Sequence, residues 1–287
     1  MIITTEKEVR EALPVIEKQF HKFNRGRLFL VAGSKGMAGA AIMAGRAALR
    51  CGVGFLDIAM PEAIYPVVTA ALPEAVSSIY DPDDVKSMRK VFTAGIEKAD
   101  AVAIGCGLGE LKDRVCPIVF EQCGKPLLID ADGLNHVAGI AFEKELLKSG
   151  DIVLTPHSGE MGRLLGMTGR EVEADRLQAA ETAAARYNAA VLLKGPETLV
   201  VKEGYETHRN PTGNAGMARA GSGDTLTGII GALMAQGEDG FTAAFSGAFI
   251  HGMAGDLAKE RFTMRCMLPT DMAEMLPEVF KTLEIDA

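Results

Sequence analysis

One carboxylate, Asp224, sits where a glycine-dense loop runs into an apolar helix, N-A-G-M-A-R-A-G-S-G-D-T-L-T-G-I-I-G-A-L-M-A-Q-G, residues 214–237. Glycines at 213, 216, 221 and 223 make that loop costly to order, because glycine loses more backbone freedom on folding than any other residue. An anion would compensate: unpaired N–H groups at a helix N-terminus, with the helix dipole behind them, attract phosphate. A carboxylate in the same place would repel one. The two are reconciled if the N–H groups of Gly221, Ser222 and Gly223 hold a transferring phosphoryl group while Asp224 faces the acceptor and takes the proton of an attacking hydroxyl. Phosphoryl transfer rests on positioning and charge stabilisation, and a well-placed base adds about 10²–10⁴-fold. A plain helix cap through Ser222 or Asp224 is the competing reading. It leaves unexplained the six glycines between Gly213 and Gly231, of which Gly228 and Gly231 are spaced for close helix packing.

Other candidates follow short apolar runs: Gly33 and Ser34 before G-M-A-G-A-A, then G-C-G-L-G at 105–109, then Asp130, Asp132 and Asn135, then Thr155, His157 and Glu160. In open α/β sheets ligands bind beyond the carboxyl ends of the strands, so four such features describe one rim. Neither G-S-K-G-M-A-G nor G-C-G-L-G fits a Walker or dinucleotide fingerprint, and each alone reads as a strand-to-helix turn. D-A-D-G-L-N fits a helix cap with an Asx-turn as well as it fits a site. His157 belongs on an exposed rim, in a structural or a catalytic role. Lys194 is either solvated or, with its turn neighbours Gly195 and Pro196, against a nucleotide.

The elements that must carry these residues alternate. R-L-F-L-V, G-F-L-D-I-A-M, A-D-A-V-A-I-G, K-P-L-L-I-D and D-I-V-L-T read as strands separated by helical segments, the pattern of a parallel sheet buried on both faces. A-V-L-L-K-G-P-E-T-L-V-V-K-E-G then reads as two strands joined at K-G-P-E, and three helices follow the glycine loop. The predicted fold is α/β, a central mostly parallel sheet with helices on both faces. No Pro-, Gly- or Ser-rich linker divides the 287 residues, so residues 21–287 are expected to form one domain after an N-terminal extension, 1–20.

A formal charge of −8 and a pI near 5.3 argue against a nucleic-acid backbone as the main partner, and without tryptophan there is little to build a stacking platform. Five cysteines without a C-x-x-C pair fit a reducing compartment and read as small core residues. The N-terminus is charged too early for a signal peptide, and no apolar run approaches the roughly 18 residues of a membrane span. No membrane partner and a cytoplasmic location are expected.

G-x-G-D opening a late helix after an α/β core and a meander resembles the ribokinase-like superfamily of small-molecule kinases. V-A-G-S-K-G-M-A-G-A-A, G-x-G-L-G, D-A-D-G-L-N, T-P-H-x-G-E, L-K-G-x-x-T and G-N-x-G-M-A-x-x-G-S-G-D-x-L-T-G, in that order from about Leu28 to the last helices, resemble the ADP/ATP-dependent NAD(P)H-hydrate dehydratases. The epimerase domain sometimes fused N-terminally in that family has no counterpart in the first ~20 residues, too few for a domain. The resemblance implies an enzyme that returns the hydrated cofactors NADHX and NADPHX to NADH and NADPH. ADP or ATP, with Mg²⁺, would phosphorylate the hydrate's hydroxyl, and phosphate elimination would follow.

By the same resemblance Asp224 is the acidic residue at the hydrate, and Gly221, Ser222 and Gly223 form the anion hole. Lys194, Gly195, Pro196, Glu197 and Thr198 bind the nucleotide. Ala40, Gly107 and His157 contact the hydrated cofactor, as do Asp132 and Asn135 on the same rim. Glu160 stands where related kinases carry a glutamate that organises Mg²⁺, directly or through water. A homo-oligomer, a tetramer in this family, is also implied, with the apolar C-terminal helices as an interface. Two departures stand out. Cys106 replaces a common proline, a packing matter away from the chemistry. Arg219-Ala220 replaces small residues, with Arg219 turned to solvent rather than to phosphate. A vitamin-precursor kinase of the same superfamily would share Asp224 and the anion hole but yield a stable phosphorylated product. A non-catalytic nucleotide binder has no use for a base that repels phosphate.

Overall fold

Strands that read as continuous apolar runs do so because both faces of their sheet are covered. The computed structural model describes residues 1–15, 24–140 and 148–284. Its strands are β1 (Ile2–Ile3), β2 (Arg27–Val31), β3 (Phe55–Pro61), β4 (Val76–Tyr80), β5 (Ala101–Ile104), β6 (Leu127–Ile129), β7 (Ile152–Leu154), β8 (Ala190–Leu193), β9 (Leu199–Val201) and β10 (His208–Arg209). They form one sheet in the order β1-β10-β9-β8-β7-β6-β5-β2-β3-β4. Every pairing is parallel except those of β9 with β8 and β10.

The helices are α1 (Glu6–Ala12), α2 (Ala38–Arg50), α3 (Tyr65–Ala71), α4 (Val85–Lys98), α5 (Lys112–Gln122), α6 (Ala131–Gly139), α7 (Ser158–Leu165), α8 (Gly169–Ala174), α9 (Arg176–Tyr187), α10 (Ser222–Ala235), α11 (Gly240–Cys266) and α12 (Pro269–Leu283). Successive side chains of a strand point to opposite faces, and β2 shows the consequence. Leu28 and Leu30 pack with α2, α10, α11 and α12, while Phe29 and Val31 pack with α4, α5, α6 and α9. The sheet between two helical layers is the arrangement the alternation predicts, with β8 and β9 forming the expected antiparallel pair.

The chain runs from β2 out to β4, then returns to place β5 on the other side of β2. That reversal makes the C-terminal ends of β2 and β5 a topological switch point, where open α/β sheets bind ligands. A second constraint comes from Gly228 on α10: a Cβ there would lie 2.0 Å from the Ala44 carbonyl oxygen of α2. Only glycine permits that approach, which fixes where the N-terminus of α10 emerges.

Strand β4 escapes the sequence pattern because it is an edge. Val76 and Ile79 are exposed, so V-S-S-I-Y lacks a buried run. The N-terminal extension joins the opposite edge, with Ile2–Ile3 paired parallel to His208–Arg209 and α1 packed on α11 and α12. The expected boundary at 20/21 lies outside the described residues. Four of the five cysteines are buried; Cys266, expected as core, is exposed because it ends α11 at the surface. Among the described residues no helix is long and apolar enough to cross a membrane.

Candidate active site

At the switch point the loops after β2 and β5 are tied together: the Gly33 N–H donates to the Cys106 carbonyl at 2.8 Å. Gly107 holds φ +62°, and a Cβ on it would stand 2.7 Å from that of Ala40, so Ala40 and Gly107 face each other across this crevice. Asp132, in the first turn of α6, accepts the Gly109 N–H at 2.7 Å through Oδ2. Asn135 accepts from Arg163 Nε at 2.8 Å and lies 3.4 Å from Asp132 Oδ1. His157 is exposed, as expected, and its ring caps α7: Nδ1 accepts from the N–H groups of Gly159 at 3.0 Å and Glu160 at 3.4 Å.

The centre of the rim is a buried charge network. Asp130, 2% exposed, ends β6 and accepts from Lys194 Nζ at 2.8 Å, Thr155 Oγ1 at 2.8 Å and Thr227 Oγ1 at 2.9 Å. It occupies the N-cap position of α6 without capping it through its side chain, so the Asx-turn reading of D-A-D-G-L-N gives way to a cross-linking role. Burial alone would raise its pKa, but the Lys194 charge and the hydrogen bonds from Lys194, Thr155 and Thr227 hold it below the usual carboxylate range. Lys194 is therefore not solvated at the strand end. Its ammonium turns inward to Asp130 and lies 3.6 Å from Glu160; burial disfavours its charge, but the two carboxylates more than offset this and its pKa is raised. Glu160 is buried, accepts the His157 N–H at 2.8 Å and completes the α7 capping box.

Over this network stands the N-terminus of α10. Gly221 is its N-cap at φ +97° with no side-chain cap. The expected anion hole needs one correction. The Ser222 N–H is donated to the Arg219 carbonyl at 3.2 Å and the Ser222 hydroxyl lies 3.5 Å from His251 Nε2. The donors without an intrachain partner among the described residues are those of Gly221, Gly223 and Asp224. A Cβ on Gly223 would be 3.3 Å from Lys194 Nζ, so the orphan N–H groups and the ammonium share one small space. Positive charge from both suits a phosphoryl group.

Asp224 sits beside them, half-buried. Burial pushes its carboxyl up to about 6, with Asp130 and Asp132 adding to the rise and Cys106 and Lys194 opposing it. A carboxylate poised near neutrality is a suitable general base. Cys106 corrects the sequence reading: its Sγ lies 3.9 Å from Asp130 Oδ2, so it touches the buried charge network rather than packing apart from it. Arg219 is exposed, as expected, and its guanidinium also donates to the Arg265 carbonyl at the end of α11, which ties the loop down.

The turn from Lys194 to Thr198 is shaped by Arg176, whose guanidinium donates to the carbonyls of Leu193 at 3.1 Å and Lys194 at 3.4 Å. Gly195 is extended to φ +148°, and a Cβ there would meet that guanidinium at 2.7 Å. Thr198 Oγ1 donates to the Gly195 carbonyl at 3.0 Å. Pro196 and Glu197 form the exposed tip, where the Glu197 side chain pairs with Arg209. Sequence reasoning missed Thr227 and Arg176. Thr227 carried a signal, since it lies three residues beyond Asp224 and so near it on the helix surface. Arg176 carried none, since it reaches the turn from another helix.

Among the described residues no three His, Cys, Asp or Glu side chains converge to hold a metal ion. Oxygen donors beside a phosphate space suit a hard cation bound mainly by phosphate and water, as Mg²⁺ commonly is.

A family model described as NAD(P)H-hydrate dehydratase matches residues 28–278. The chain is 40% identical over 245 residues to the ADP-dependent (S)-NAD(P)H-hydrate dehydratase of Neisseria meningitidis, covering 84% of this chain and 79% of that protein. It is 37% identical over 287 residues to the bifunctional NAD(P)H-hydrate repair enzyme Nnr of Moorella thermoacetica, covering 96% of this chain and 53% of that one. The chain thus spans about half the length of that bifunctional relative. A crystal structure of the ADP/ATP-dependent NAD(P)H-hydrate dehydratase of Bacillus subtilis, co-crystallised with ATP/Mg²⁺, superposes with a TM-score of 0.86 at 32% identity and 98% coverage of both chains.

Proposed function

Because this chain belongs to the NAD(P)H-hydrate dehydratase family, we propose that it repairs hydrated nicotinamide cofactors, dehydrating NADHX and NADPHX at the expense of ADP or ATP. The observation that carries the reading is Asp224, a carboxyl pushed up to about 6 beside an uncapped helix N-terminus and a buried lysine. The N–H groups of Gly221, Gly223 and Asp224 and the Lys194 ammonium bind the phosphoryl group. Asp224 takes the proton of the hydrate's hydroxyl as that oxygen bonds to phosphorus and the bond to the leaving nucleotide breaks. The carbon–oxygen bond of the phosphate ester then breaks, phosphate departs with the bonding electrons, and the neighbouring ring carbon gives up a proton to form the double bond that restores the dihydropyridine ring. Ala40, Gly107, Asp132, Asn135 and His157 line the hydrate side, and the 194–198 turn takes the nucleotide. Mg²⁺ supplies charge neutralisation on the phosphates, with Glu160 the protein carboxylate nearest in role.

The test is recovery of the near-ultraviolet absorbance of reduced nicotinamide when the protein meets NADHX, Mg²⁺ and ADP or ATP. Recovery with one nucleotide, matched by free phosphate, supports the dehydratase. A stable phosphorylated product in its place would mean a kinase of the same fold. With Glu160→Gln, the Mg²⁺ needed for half-maximal rate is expected to rise about tenfold, the effect usual for groups supporting a metal. An unchanged Mg²⁺ dependence removes Glu160 from that role.

A further inference from the structure

The glycine loop that leads into α10 is strapped along α11. Thr212 Oγ1 donates to the Phe249 carbonyl at 2.9 Å, the Asn214 amide to that of Gly255 at 2.9 Å, and the Arg219 guanidinium to that of Arg265. Glycine makes room where the strap crosses the helix. A Cβ on Gly252 would stand 2.1 Å from Thr212 Oγ1, and one on Gly255 2.3 Å from Met217 Sδ. Between these contacts lies Asp256. Its Oδ2 accepts the Gly213 N–H and its Oδ1 the Asn214 amide, both at 2.9 Å. Asn214 turns its own Oδ1 to the Gly216 N–H at 3.0 Å and so caps the short turn Ala215–Met217. From there the Arg219 N–H donates to the Met217 carbonyl at 2.8 Å, and the Ser222 N–H to the Arg219 carbonyl at 3.2 Å. A run of hydrogen bonds therefore extends from Asp256 to the start of α10.

Glycines at 213, 216, 221 and 223 make this loop costly to order, and the ties to α11 offset that cost from within the fold. We propose that Asp256 is a positioning residue of the phosphoryl site, holding the glycine loop on α11 so that the N–H groups of Gly221 and Gly223 stand aligned before a phosphate arrives. Preorganised donors need no rearrangement at the moment of reaction. A loop aligned for only part of the time would lower phosphate affinity by that fraction. A carboxylate suits the place because it offers two acceptor oxygens to two donors. Asparagine, of the same shape, would set an NH₂ against one of them. The proposal rests on the phosphate-binding part of the dehydratase reading and not on which hydroxyl is phosphorylated.

The test compares the affinities of ATP and AMP, each with Mg²⁺. Only ATP carries the terminal phosphates that reach the α10 N-terminus, so the ratio of the two reads the anion hole rather than the fold. With Asp256→Asn the preference for ATP is expected to fall about tenfold, the effect of losing one hydrogen bond to a charged group, while AMP binds as before. Asn214→Ala should lower the same ratio, and the double variant should fall no further than the larger single effect. A preference kept in both variants, a common loss of ATP and AMP binding, or additive effects would each overturn the proposal. If Asp256→Asn does not fold, Asn214→Ala, which spares the bond from Gly213 to Asp256, decides by the same ratio. A wild type that does not prefer ATP to AMP refutes the phosphate site and this proposal with it. One that prefers ATP yet leaves NADHX untouched refutes the choice of substrate alone.

Discussion

Asp224→Asn is expected to lose about 10²–10⁴-fold in kcat, the worth of a positioned general base, while nucleotide affinity changes little. Asparagine keeps the shape and the backbone N–H and removes only the proton acceptor. The stability change should have the opposite sign from a structural defect. The Asp224 pKa is raised, to about 6, above the ordinary aspartate value of about 3.9. The folded state therefore holds its proton more tightly than the unfolded chain. That contribution to stability is complete below about pH 3.9 and is lost as pH rises through about 6. At neutral pH the wild type bears the cost of a partly buried charge that the variant lacks, so Asp224→Asn should melt at the same or a higher temperature. Kinetics and calorimetry on one preparation decide the matter. A variant with activity within tenfold of wild type, or one that melts markedly lower, would remove Asp224 from the role of base.

Lys194→Met is the second large effect, and it falls on stability and activity together. Methionine approximates the length of the stem but leaves Asp130 and Glu160 buried without their shared cation. Breaking a buried ion pair by removing one partner costs about 3–5 kcal/mol. The lower end applies here, because the Lys194 side chain keeps 20% of its surface exposed. At about 2–4 °C per kcal/mol for a protein near this size, the melting temperature should fall by about 6–12 °C. The pH dependence is diagnostic. The Asp130 pKa is depressed in the folded protein, so its contribution is present above the ordinary carboxylate pKa of about 3.9 and is lost on acidification. The Lys194 pKa is raised, so its contribution holds below about 10.4 and is lost in alkali as pH passes through the raised value. The gap between wild type and variant should be widest between those limits and close at acid pH. A gap that persists into acid would mean the lysine acts through packing alone.

The amino-acid sequence by itself determined the α/β alternation and the antiparallel pair around K-G-P-E, and it singled out Asp224 as the candidate base, because each depends on local chemistry. Buried strands must be apolar on both faces, and a glycine run into a helix start is costly without an anion. Edge strand β4 and the pairing of Ile2–Ile3 with His208–Arg209 were hidden, since an edge has no buried run and two-residue strands have no period. Only the tertiary structure decided where the polar side chains point. Lys194, Asp130, Thr155 and Thr227 come from the ends of three strands and one helix, with 64 residues between the first two and 97 between Asp130 and Thr227. Cys106 read as packing, and its thiol came within reach of the Asp130 carboxylate only once β5 lay against β6. Which buried groups meet depends on distances that folding alone sets, and spacing along the chain carries none of them.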